Sequence, residues 1–225
     1  MAVKELELKV PTSYGDIPLK KWLALQKDLE AYKDDEKAVV ALMFLHLCGL
    51  DPKYLKGIQL DDYVLIKNEL EAFMQNTDLP LQRIIRIGDR EFGFEPNLSQ
   101  MAYGAYADIT KFKEFTINDD WASIMSVLYR PVTHKKGEMY EIQTYKGDDN
   151  SALFLEVGMD VHFGALFFFV HLLMDLLNAT LNSTMEKDMN PNIKPILERS
   201  GQHIQHLLIS PMETLQKSTW LPKNP

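Results

Sequence analysis

The stretch 161–177 constrains this chain more than any other, because Phe163, Leu166, Phe167, Phe168, Phe169 and Val170 crowd every side of one helical repeat. A helix that is apolar all round belongs in a bilayer or in the middle of a protein. Spanning a bilayer takes about 18 to 20 apolar residues. Here His162, His171 and Asp175 bracket and interrupt the run, leaving eight residues, 163–170, before His171. Ionisable groups at such depth in lipid are costly. The segment is therefore predicted to be the buried central helix of a fold that does not contact membrane.

The remaining chain must supply the layers that cover this helix. Its 225 residues are 46% hydrophobic and 25% charged, the balance of an ordinary globular protein. Area scaling gives a folded surface of about 10,500 Å² against about 37,600 Å² unfolded, enough burial for a large core without staples. No fixed-period repeat and no Gly/Ser linker divides the chain, so residues 1–225 are expected to form a single domain. The expected architecture is mainly α, formally α+β: a helical body around the central buried helix, with small β-hairpins laid against it.

Local signals place the other elements. Leu6, Leu8 and Val10 alternate with charged residues, which predicts a short strand closed by Pro11. Asp16 before Ile17-Pro18 reads as the start of a helix running to about Tyr32. Asp34-Asp35-Glu36 opens a second, very apolar helix that Gly49 can close, and Asp61-Asp62 precedes a third with Tyr63, Ile66, Leu70, Phe73 and Met74 on one face. β-branched and aromatic residues on both sides of Gly88-Asp89 predict a hairpin over 83–94. Short helices are expected over 99–110 and 119–129, the latter capped by Asn118 or Asp119 and stopped by Pro131. A second hairpin is expected around Lys135-Lys136-Gly137, followed by a polar loop at Asp148-Asp149-Asn150.

Charge and cysteine use exclude several function classes. With 24 basic against 32 acidic residues the net charge is −8, which repels a phosphate backbone, so no nucleic-acid partner is expected. The single cysteine, Cys48, sits in an apolar run and reads as a buried small residue rather than a nucleophile. Acid and base at Lys4 and Glu5 replace the apolar stretch of a signal peptide, which predicts retention in the cytoplasm. The N-x-S/T triplets at Asn97, Asn178 and Asn182 then have no glycosylating machinery to meet.

No catalytic signature stands out. The glycine patterns that cradle phosphates and the G-x-S-x-G elbow are missing. The paired acids at 34–35, 61–62 and 119–120 precede predicted helices, where carboxylates satisfy free N–H groups, and the pair at 148–149 lacks the spacing of a calcium loop. Of the histidines His46, His134, His162, His171, His203 and His206, none lies in a zinc-protease motif. The strongest enzymatic alternative is a small metal-dependent hydrolase drawing on His162, His171, Asp160 and Asp175. Two imidazoles nine residues apart on a helix, however, point in roughly opposite directions. No cofactor is expected.

The centre of the chain carries a resemblance. The blocks Phe92-Gly93-Phe94-Glu95-Pro96-Asn97-Leu98, Met101-Ala102-Tyr103-Gly104-Ala105-Tyr106-Ala107-Asp108 and Met125-Ser126-Val127-Leu128-Tyr129-Arg130-Pro131-Val132 are the first three. Tyr140-Glu141-Ile142-Gln143-Thr144-Tyr145-Lys146-Gly147 and Val161-His162-Phe163-Gly164-Ala165-Leu166-Phe167-Phe168-Phe169 complete the set. As an ordered series spanning about 80–175 they resemble an uncharacterised virion or tail-assembly family of tailed bacteriophages, notably crAss-like and related phages of Bacteroidota. The resemblance implies a non-catalytic tail or baseplate component, head–tail connector or tail-assembly factor, assembled in the host cytoplasm and housed in the virion. Its partners would be other phage structural proteins, itself included. The residues singled out for partner contact are Leu207, Leu208, Leu215 and Trp220, the apolar face of a proline-interrupted C-terminal arm over 190–225.

Overall fold

The computed structural model describes residues 8–32, 35–76, 78–112, 116–147 and 149–185, without the side chains of 36, 173, 174 and 176–185. The C-terminal arm and its Leu207, Leu208, Leu215 and Trp220 lie outside the described residues. The architecture is α+β, as expected, with helices packed beside one small antiparallel sheet.

Three helices come first: α1 (Leu19–Tyr32), α2 (Glu36–Cys48) and α3 (Leu60–Met74). Asp35 caps α2 by accepting from the N–H groups of Lys37 and Ala38, and Gly49 closes it in the left-handed region at φ 73°. Asp16 does not cap α1. Its carboxylate turns back to the N–H groups of Thr12 and Ser13 at 3.0 and 3.1 Å, closing a 3-10 turn over Tyr14–Asp16. The start of α1 is instead stitched to a later loop, with the N–H groups of Leu19 and Lys20 donating to the carbonyls of Val157 and Leu155. Residues 8–10, the described part of the expected strand, pair with no other strand, and residues 6–7 lie outside the described residues.

The strands are β1 (Ile84–Ile87), β2 (Arg90–Phe94), β3 (Tyr129–Lys136) and β4 (Met139–Ile142). Both expected hairpins form, β1 with β2 and β3 with β4. They are not separate, because Phe92, Gly93 and Phe94 pair with Pro131, Arg130 and Tyr129, which joins the hairpins in one sheet of order β1-β2-β3-β4. Between β2 and β3 lie α4 (Tyr103–Ile109) and α5 (Trp121–Leu128), and α5 passes into β3 without a loop, before Pro131 is reached. Asp149 and Asn150 lie outside any helix or strand, in the polar loop expected there, and a short helix α6 (Ser151–Phe154) follows, its first N–H held by Asp149 at 2.8 Å.

Helix α7 (Met159–Met185) runs through the middle. Phe163 meets Tyr14 and Trp22 edge-on, with ring centroids 5.0 and 5.4 Å away, and so faces the helices. Phe168 meets Phe94 at 5.5 Å and faces the sheet. Val161, Phe163, Ala165, Leu166 and Val170 are buried, whereas His171, Leu172 and Asp175 are exposed. No described helix is long and apolar enough to cross a membrane.

Candidate interaction surface

Arg130 is a charge inside an apolar run, Val127-Leu128-Tyr129-Arg130-Pro131-Val132, and β3 carries it into the interior, where it is 8% exposed. A buried guanidinium must find acceptors for its fixed fork of donors. It does so on three sides. Nη2 donates to Oε2 of Glu95 at 2.5 Å, Nε to the Gln143 carbonyl at 2.9 Å and Nη1 to the Val127 carbonyl at 3.2 Å. Glu95, also 8% exposed, follows the end of β2 and accepts from Asn97 N–H with its other oxygen. These bonds tie the exits of β2, α5 and β4 to one side chain.

The guanidinium lies 5.9 Å from the ring centroid of Tyr145. The Tyr145 hydroxyl donates to Asp108 at the end of α4, and Lys111 pairs with the same carboxylate. Lys111 first, then Tyr145, holds the Asp108 carboxyl below the ordinary aspartate range. A Cβ on Gly104 would stand 3.4 Å from the Tyr145 ring, so α4 rests closely on it. On this support α4 presents Tyr103, 84% exposed, and Tyr106, 59% exposed, three residues apart on one face.

Gly93, the register partner of Arg130, shapes the same face of the sheet. The Tyr140 side chain reaches across from β4 to donate its hydroxyl to the Phe94 carbonyl at 2.7 Å. A Cβ on Gly93 would lie 2.6 Å from that ring and 2.7 Å from Ile142, so only glycine fits there.

The residues of the hydrolase alternative are not brought together. His162 is wholly buried, accepting at Nδ1 from the Trp121 indole N–H at 3.2 Å and donating from Nε2 to the Phe154 carbonyl at 3.1 Å. Indole can only donate, which fixes that tautomer. Burial pushes the imidazole pKa down to about 4. His171 is on the exposed side of α7, bonded to the Phe167 carbonyl at 2.8 Å, Asp160 accepts from Gln82 at 2.6 Å, and Asp175 is exposed. Elsewhere His46 pairs with Asp28 at 2.7 Å, and burial raises the Cys48 thiol to about 11. Among the described residues no group of three His, Cys, Asp or Glu side chains could hold a metal ion.

Sequence reading named the blocks that contain Arg130, Glu95, Tyr145 and Asp108 but not their mutual contacts. The available signal was the lone charge within 127–132, since an arginine in such a run requires a buried acid.

Arg130 and Tyr145 are thus committed internally, while α4 turns Tyr103 and Tyr106 outward. Tyrosine offers contact area with little rotamer freedom to lose, which favours protein interfaces. In comparisons with family models, curated proteins and solved structures, nothing matches this chain.

Proposed function

We propose that this chain is a non-catalytic structural or assembly component of a tailed bacteriophage, in the class of tail or baseplate parts, head–tail connectors and tail-assembly factors. It acts through contacts with other phage structural proteins, is made in the host cytoplasm and takes its place in the virion. One observation carries the reading. Blocks that bear the phage resemblance and lie far apart in sequence supply the members of one cluster: 92–98 gives Glu95, 101–108 gives Asp108, 125–132 gives Arg130 and 140–147 gives Tyr145. That cluster supports Tyr103 and Tyr106 from below, which suits an interface better than an active site.

The metal-dependent hydrolase finds less support, because His162 spends both ring nitrogens on Trp121 and Phe154 while His171 lies about 13 Å further along α7. The test is to tag the chain in an infecting phage and follow the tag through particle purification and assembly intermediates. Co-purification with structural proteins is expected. Loss of the tag from every particle and intermediate, or one zinc or iron per purified chain that disappears in His162→Ala, overturns the reading.

A further inference from the structure

In an antiparallel sheet of order β1-β2-β3-β4 the β1–β2 and β3–β4 turns lie at the same end. Past Pro131, β3 no longer pairs with β2, and a register shift between Val132 and His134 separates the distal ribbon from the rest. Residues 133–139 are exposed throughout. This tip carries His134, Lys135 and Lys136 beside Met139, which is 72% exposed, with Glu138 as its acid. Lys135 pairs with Glu91 at 3.3 Å, whereas Lys136 and His134 make no ion pair among the described residues.

Helix α3 presents the complementary chemistry. Its inner face, Ile66, Leu70 and Phe73, enters the core. Its outer half exposes Leu60 at 75%, Leu65 at 58% and Val64 at 43%, flanked by the exposed acids Asp61, Asp62 and Glu69. Asp61 and Asp62 also complement the positive helix end, but that explains no exposed leucine. None of these acids is in an ion pair among the described residues, and no hydrogen bond joins them to the ribbon tip.

We propose that the basic tip of the β3–β4 ribbon docks on the outer face of α3 of a second copy of this chain, Lys136 and His134 meeting the carboxylates and Met139 the exposed leucines. The two faces differ, so the contact is head-to-tail and either closes into a ring or extends as a filament. The inference rests on these faces alone and needs no phage for its test.

Two surface variants of the full chain provide that test, Lys136→Glu with Met139→Ser on the ribbon and Glu69→Lys with Leu65→Ser on α3. All four positions are exposed, so both variants should melt like the parent. Sedimentation and native mass spectrometry of the parent from about 1 to 500 µM should show concentration-dependent species above the monomer, weakened by salt. Each variant alone should associate ~10-fold or more weakly. An equimolar mixture should restore association but stop at the heterodimer, since one intact ribbon then meets one intact α3 and no further site is free. A parent that stays monomeric, as it would if an unrelated partner fits either face, overturns the proposal. So do variants that associate like the parent, or a mixture that forms no heterodimer.

Discussion

His162 couples stability to pH through a single ring. In the folded chain burial holds its pKa at about 4, against the ordinary imidazole value of 6.5 expected once the chain unfolds. The unfolded state therefore takes up the proton first as pH falls. The contribution of the neutral ring is complete above pH 6.5, is lost between about 6.5 and 4, and levels off below. A separation of this size corresponds to about 3 kcal/mol. His162→Gln keeps a side chain able to accept and donate but removes the titration. Urea unfolding at several pH values between 4 and 7.5 should show the parent losing stability more steeply than the variant across that window. Parallel curves would show that the ring does not carry the proton linkage.

Helix α7 holds both buried and exposed leucines. Leu166, among apolar neighbours, is 1% exposed, and Leu172, beside His171, is 43% exposed. Leu166→Ala should cost about 2–5 kcal/mol by leaving a cavity between helices and sheet. Leu172→Ala should stay within about 0.5 kcal/mol. Equal losses in chemical denaturation would mean that Leu172 is packed in the core as Leu166 is. This division explains what could be read beforehand. Helices α1, α2 and α3 and both hairpins were legible, because their signals are local: an Asp35 carboxylate beside free N–H groups, Gly49 past the last turn, glycine in each hairpin turn. The exposure of Leu172 was not, since a leucine beside His171 reads no differently from one in the core. The joining of β2 to β3 was hidden for a similar reason, as it depends on Gly93 admitting Tyr140 and on Arg130 finding Glu95 across 35 positions. Asp16 was misassigned because a carboxylate before a proline can as easily close the preceding turn as cap the following helix. Of the candidate surface, the tyrosines stood out as aromatic residues, but their exposure follows only from how Tyr145 and Asp108 seat α4.

At the scale of the whole molecule, the question is whether the support and the surface separate. A net charge of −8 disfavours approach to phosphate backbones and anionic surfaces, so limited patches where shape and apolar area outweigh that repulsion are the places to test for recognition. Tyr103 and Tyr106 form such a patch, and both are exposed enough that removing them leaves no cavity. Tyr103→Ala with Tyr106→Ala should therefore melt within a few degrees of the parent, yet lose most of its co-purification with phage structural proteins from infected cells. Glu95→Ala is the contrasting change. It strands the Arg130 guanidinium in the interior and should cost about 3–5 kcal/mol, lowering both the melt and the capture of partners. If the tyrosine variant captures partners as well as the parent while Glu95→Ala loses them, the cluster serves folding alone and the interface lies elsewhere on the chain. If the tyrosine variant itself unfolds, α4 is part of the core and its exposed face is not the surface proposed for it.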